Sequence, residues 1–287
     1  NFKSKIMNSK LLRNLIVVIL SVLLITSCGG NKNGSKGPLS TGGAAQKVYV
    51  APGDLDEFYA FLSGGFSGQV SVYGLPSCRL LKVIPVFSVD AEKAWGFNEE
   101  TKPMLETTLG FQPWDDAHHP ELSQTNGVPD GRWLFINANN TPRIARLDLT
   151  TFETVEIIEI PNSAGNHSSP FTTENTKYVV AGTRFSVPFP QQDIAIDDYA
   201  GNYKGVLSFI KVGEDGRMDI AFQILMPGYD YDLAHSGKNA SDGWTFFSCY
   251  NTEESNTLLE VNASKNDKDF IAAVNWKVAE QLITDGK

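Results

Sequence analysis

The sequence predicts an all-β chain, a partial β-propeller of about three to four blades. Three observations lead there. The 287 residues are 41% hydrophobic, 20% charged and 11% aromatic, the balance of a globular protein with length enough for a large core. From Asp130 onward, short apolar or aromatic strands recur between polar turns, several with period-two alternation. The unit also restarts with an aromatic opener at Trp133, Tyr178 and Trp244, intervals of 45 and 66 residues. A period of roughly 40–45 residues with three to four strands per unit is the mark of propeller blades. An ordinary β-sandwich also strings short strands between turns; the repeated opener favours the propeller.

The first element along the chain is an address. After Met7 come Lys10 and Arg13, then an apolar run from Leu15 to Ile25 broken only by Ser21. As a helix that run rises only about 16 Å, too short for a hydrocarbon core of ~30 Å. A short basic region before a short apolar one is the pattern of an export signal. Its end, Ile25-Thr26-Ser27-Cys28, resembles the lipobox of bacterial lipoproteins, which implies a lipid anchor on Cys28; an export signal with a chance cysteine is the alternative. Residues 1–28 are thus expected to be a signal and 29–46, rich in Gly, Ser, Asn and Lys, a flexible tether. Residues 47–287 are expected to be an incomplete propeller working outside the cytoplasm, in the periplasm.

Leu55–Ser63 reads as a short helix preceding the propeller strands, with Asp54 as N-cap and Leu55, Phe58, Tyr59 and Leu62 on one face; Gly64-Gly65 stops it. Leu80–Val89 is strongly apolar. Trp95–Asp116 is irregular, and long irregular runs inside compact domains are commonly functional. Strands follow at Trp133–Asn137, Arg143–Leu149 and Val155–Ile160, then at Lys177–Gly182, Val206–Val212 and Ile220–Met226. A turn-rich insertion from Pro227 to Ser241 precedes strands at Asp242–Ser248, Thr257–Val261 and Phe270–Trp276. Lys277–Lys287 has a helical pattern. A ring with so few blades leaves two raw flanks, so the chain is expected to be truncated.

Composition narrows the chemistry. Lys plus Arg is 24 against 33 for Asp plus Glu, a net charge of −9, which argues against nucleic acid as a partner. With Cys28 assigned to the signal, Cys78 and Cys249 remain, either as a pair or as two independent thiols. The four histidines carry the main clue. His118 and His119 are adjacent, flanked by Asp115, Asp116 and Pro120. Neighbours on a strand point to opposite faces, so these two share a site only from an irregular loop, which Pro120 and the acidic run suggest. Imidazole suits copper, zinc and nickel, and Asp115 or Asp116 could fix a ring's tautomer. A solvated loop with two incidental histidines is the other reading. His167 stands just before the second restart, as the pair stands before Trp133, and equivalent blade positions can face one end of a central channel. His235 lies in the insertion and reads as a surface residue. Three histidines could hold zinc alone or belong to a larger set.

The segments Asp116-Ala117-His118-His119-Pro120, Asp130-Gly131-Arg132-Trp133-Leu134-Phe135-Ile136-Asn137 and Arg143-Ile144-Ala145-Arg146 resemble the N-terminal half of the nitrous oxide reductase family. Ser248-Cys249-Tyr250-Asn251-Thr252-Glu253 is similar to a further segment of that family. The resemblance implies a seven-bladed propeller with a four-copper, sulfide-bridged cluster held by seven histidines. It implies also a following cupredoxin domain with a dinuclear copper centre. Such an enzyme reduces nitrous oxide to dinitrogen and water, the last step of denitrification, with electrons from a cytochrome c-type donor.

Residue by residue, the resemblance makes His118 and His119 the first two copper ligands and His167 the third. The context Asn166-His167-Ser168-Ser169 departs from the better-known branch, where Gly and a basic residue follow the histidine. That departure implies the second branch, whose members use a general export signal. Tyr250 and Glu253 match a calcium site, with the backbone at Val261 and the carboxylate of Asp269 completing it and Asp267 competing with Asp269. The remaining copper ligands and the electron-entry domain lie beyond Lys287 in this reading, so the fragment by itself is expected to be inactive; the resemblance also implies a head-to-tail homodimer for the full-length protein. The alternative is an exported propeller lipoprotein serving as a binding platform.

Overall fold

The structure, a computed structural model, describes residues 43–195, 202–227, 230–251 and 270–287. A four-residue helix, α1 (Ala44–Lys47), belongs to one compact unit, and the chain from Val50 to Lys287 forms a second. The second unit is built from antiparallel sheets whose strands follow one another in sequence, as blades require. The first blade is β1 (Phe58–Ser63), β2 (Gln69–Leu75) and β3 (Leu80–Pro85). An excursion carrying the small hairpin β4 (Glu106–Thr107) and β5 (Gly110–Phe111) leads to the second. That blade is the four-stranded meander β6 (Ala117–Thr125), β7 (Val128–Ala138), β8 (Arg143–Asp148) and β9 (Glu153–Glu159).

The third blade has β10 (Ser168–Thr172), β11 (Tyr178–Gly182), β13 (Tyr203–Val212) and β14 (Met218–Met226), with the short β12 (Val187–Pro188) also paired to β13. The fourth has β15 (Asp230–Ser236), β16 (Trp244–Asn251) and β17 (Phe270–Asn275), and α2 (Trp276–Thr284) follows. The first strands of successive blades touch, β1 against β6, β6 against β10 and β10 against β15. These are the innermost strands, and the all-β partial propeller expected from the repeats is the observed fold.

Period-two alternation assigns each side chain to a seam between blades. Leu134, Ile136 and Ala138 of β7 pack with Val70, Val72 and Ile84 of the first blade. Phe135, on the other face, packs with Ile144, Val179, Ala181 and Ile210 toward the third. A further cluster joins Tyr178, Val180, Leu207 and Phe209 to Tyr231, Phe247 and Trp276 of the fourth blade and α2. Sheets covered on both faces explain the long apolar runs of the sequence.

Several expectations are corrected. Leu55–Ser63 is not a helix: Phe58–Ser63 is strand β1, paired residue by residue with Leu75–Val70. The apolar spacing fits a helix, but this aromatic-rich segment gains more from cross-strand bonding. The openers Trp133, Tyr178 and Trp244 stand on the second strand of their blades, not the first. The Pro227–Ser241 insertion contains strand β15, and Trp276 begins α2 rather than ending a strand. Cys78 lies exposed between β2 and β3 while Cys249 is buried in β16, on a separate sheet. Cys28 and the strand read at Thr257–Val261 lie outside the described residues.

Candidate metal centre

His118 and His119 are not in a loop; they open strand β6. Their shared orientation comes from a bulge. His118 pairs with Asn137 and Glu121 with Phe135, so two residues of β6 face one of β7. His119 takes the extra place with φ +50°, a left-handed conformation uncommon outside glycine, and Pro120 after it has no N–H for the ladder. The turn cancels the alternation that would send the two rings to opposite faces. His118 and His119 have ring centroids 5.5 Å apart.

His167 enters from the loop before β10. Its ring lies 5.0 Å from that of His118 and 4.9 Å from that of His119, nearly perpendicular to the latter. The three imidazole rings named from sequence therefore lie side by side where β6 and β10 begin, although His118 is not among the donors that converge most closely. Asp232 joins them from the start of β15, its Oδ2 2.7 Å from His167 Nδ1. A bond from Nδ1–H to that carboxylate fixes the tautomer and leaves Nε2 as the electron-pair donor. Donor atoms of His119, His167 and Asp232 all lie within 4.8 Å of one another. Asp232 was not singled out from sequence, although the repeat could have found it: it opens its innermost strand as His118 opens β6.

The two acidic neighbours of the pair do different things. Asp116 Oδ2 is 3.4 Å from His118 Nδ1, close but not aligned as a hydrogen bond, and Asn139 Nδ2 donates to the same oxygen at 3.3 Å. Asp115 bonds instead to the β7–β8 turn and to Arg143. Its carboxylate accepts from Asn140 N–H at 3.0 Å, Thr141 Oγ1 at 2.5 Å and Arg143 Nη2 at 3.3 Å, with both charged side chains buried. It anchors the entry to β6 on the β7–β8 turn.

The residues fit a metal of borderline or soft character. The rings are partly buried, and His118 Nδ1 and His119 Nε2 are inaccessible nitrogens without a hydrogen-bond partner, which leaves them open to a metal. Burial draws the His119 pKa down from 6.5, with the neighbouring rings of His167 and His118 adding to this and Asp232 opposing it. The neutral imidazole, the form that binds metal, is favoured. His235 is exposed on β15. Of the calcium set, Glu253, Val261, Asp267 and Asp269 lie outside the described residues, and Tyr250 falls in β16 with its side chain outside the described set.

Fold and site together define a class, a partial β-propeller with a histidine cluster at the openings of its innermost strands. Comparison with known proteins narrows it. No protein-family model matches the chain. It is 35% identical over 247 residues to the nitrous-oxide reductase of Pseudomonas fluorescens, a match covering 85% of this chain and 37% of that protein. For the nitrous-oxide reductase of Stutzerimonas stutzeri the identity is 32% over 242 residues, covering 84% and 36%. For that of Cupriavidus necator it is 31% over 262 residues, covering 85% and 38%. The chain is thus related to the nitrous-oxide reductases, along a stretch spanning less than two fifths of these relatives. Hydrazine synthase of Kuenenia stuttgartiensis shares the fold at TM-score 0.50 and 12% identity, over 77% of this chain and 49% of that one.

Proposed function

We propose that this chain contributes His118, His119 and His167 to a copper-sulfide cluster that reduces nitrous oxide to dinitrogen and water. The observation carrying the reading is the convergence of the three rings, 4.9–5.5 Å between centroids, from two separate blades. Similarity to proteins named nitrous-oxide reductase supports the substrate. Nitrogen donors of this kind suit copper among first-row metals. Copper bound here would supply the electrons that this kinetically inert substrate requires. The chain's own residues hold and orient: Asp232 sets the His167 ring, the bulge at His119 turns two neighbours inward, and Asp115 ties the strand entry down.

In this reading the other cluster ligands, and a copper domain receiving electrons from a cytochrome c-type donor, are supplied from outside these 287 residues. A calcium site at Tyr250, Glu253, Val261 and Asp269, export to the periplasm with lipid on Cys28, and a homodimer complete it. The test is copper and sulfide analysis of the longer protein, purified without air, together with its nitrous-oxide-dependent oxidation of a reduced dye. More than one copper per chain, with sulfide and turnover, is expected. One copper or less, or no turnover with nitrous oxide, overturns the proposal.

A further inference from the structure

We propose that Asn137 is the positioning residue that holds the two arms of the histidine site together. One arm is β6 with His118 and His119; the other is the loop delivering His167. Asn137 stands on β7 directly opposite His118, and opposed residues of an antiparallel pair project to the same side. Its Nδ2 donates to the backbone carbonyl of Asn166, the residue before His167. One side chain thus touches the chain next to His167 from the register position that carries His118.

Its surroundings indicate placement rather than packing. On the same face of β7 the next inward position is Phe135, part of the apolar seam with the third blade. An apolar side chain at 137 would continue that seam. Instead a fully buried amide occupies it, with Oδ1 left unpartnered. Burying an amide with half its bonds unmade costs stability, so the arrangement is poorly explained as a fold device. Asn166 is itself buried and held by Ser163 Oγ at 3.1 Å. The carbonyl that Asn137 grips therefore belongs to a fixed turn, and gripping it sets where His167 begins.

The inference rests on the proposed metal site only for its purpose; the clasp itself is testable without metal. In the metal-free full chain, nuclear Overhauser contacts are expected between all three imidazole pairs. In Asn137→Asp, which keeps the size and loses the donor, and in Asn137→Ala, the contacts from His167 to His118 and His119 are expected to weaken. The His118–His119 contact, internal to β6, persists. Cupric ion titrated into the same samples is expected to bind about 10–100-fold more weakly than in the unaltered chain, as for other outer partners of metal ligands. Thr154→Val is the control. It removes a buried bond to Pro85 O at 2.8 Å in the opposite seam, and is expected to lower stability with copper affinity unchanged.

Folded Asn137 variants that keep every ring contact overturn the clasp. Failure of the unaltered chain to bind copper counts against the metal reading alone, since the ring contacts judge the clasp separately. If neither variant folds, the unaltered chain decides. Slow exchange of the Asn137 side-chain amide protons, with a contact to the His167 amide, supports the clasp, and rapid exchange overturns it.

Discussion

The second blade has two buried faces, and they are built on opposite terms. Toward the first blade, Leu134, Ile136, Ala138, Ala145 and Leu147 form an apolar seam with Val70, Val72 and Ile84. Toward the third, the same strand β7 starts apolar at Phe135 and turns polar at Asn137, beside His118, His119 and His167. The first face loses nothing by being buried. The second keeps buried polar atoms without partners, among them His118 Nδ1, His119 Nε2 and Asn137 Oδ1. One strand of alternating side chains therefore serves the fold with one set and the site with the other. Around the site these unmade bonds extend to Asp116 Oδ1, Asn139 Oδ1 and Asn166 Nδ2, atoms that a ligand could engage.

The sharpest way to break this contrast is to delete the pair. His118→Ala combined with His119→Ala should abolish copper binding in a titration followed by absorption, while thermal unfolding stays within a few degrees of the unaltered chain. Loss of folding, or retained binding, would mean that the two faces are not divided as described.

The opposite substitution tests the opposite face. Ile136→Ala should cost about 2–5 kcal/mol in denaturant unfolding, as buried large-to-small changes do, and leave copper affinity unchanged. A drop in affinity would show that the seams are coupled.

A smaller effect comes from a polar cluster at the far end of the blade that is satisfied. The Asp130 carboxylate accepts from Ser123, Thr125 and Arg132. Burial raises its pKa, but the bonds from Arg132, Ser123 and Thr125 outweigh this and hold it at about 2, against 3.8 ordinarily. A depressed carboxyl contributes its stability in full above the unfolded value and loses it as pH falls through the folded one. About 2 kcal/mol should therefore disappear between roughly pH 5 and pH 2. In Asp130→Asn that part of the pH dependence should vanish from unfolding curves; an unchanged profile would place the acid sensitivity elsewhere.

What could be read from the chain, and what could not, follows from where polar residues sit. Second and third strands of the blades showed themselves because both faces are buried and their residues are apolar, as in Tyr178–Gly182 and Val206–Val212. The innermost strands did not. Ala117–Thr125, Ser168–Thr172 and Asp230–Ser236 carry the site or line its approach, and their histidines, serines and acids hide the apolar pattern that marks a strand. Sequence spacing alone therefore sets the blades one strand out of phase, and Asp232 hides inside a tract resembling an insertion. Leu55–Ser63 failed for another reason: a short apolar segment has helical and extended spacings in common, and only its pairing with Leu75–Val70 chooses between them.

The sequence by itself determined the repeating β architecture and the equivalence of the two histidine-bearing segments, since both depend on local spacing and residue type. Tertiary structure decided that adjacent histidines face the same way and that Asp232 meets His167. The direction of the His119 ring hangs on one left-handed residue, and that conformation is set by the cross-strand register of β6 on β7. The meeting of Asp232 with His167 depends on the packing of β15 against β10. Neither register nor packing is a property of neighbouring residues in the chain.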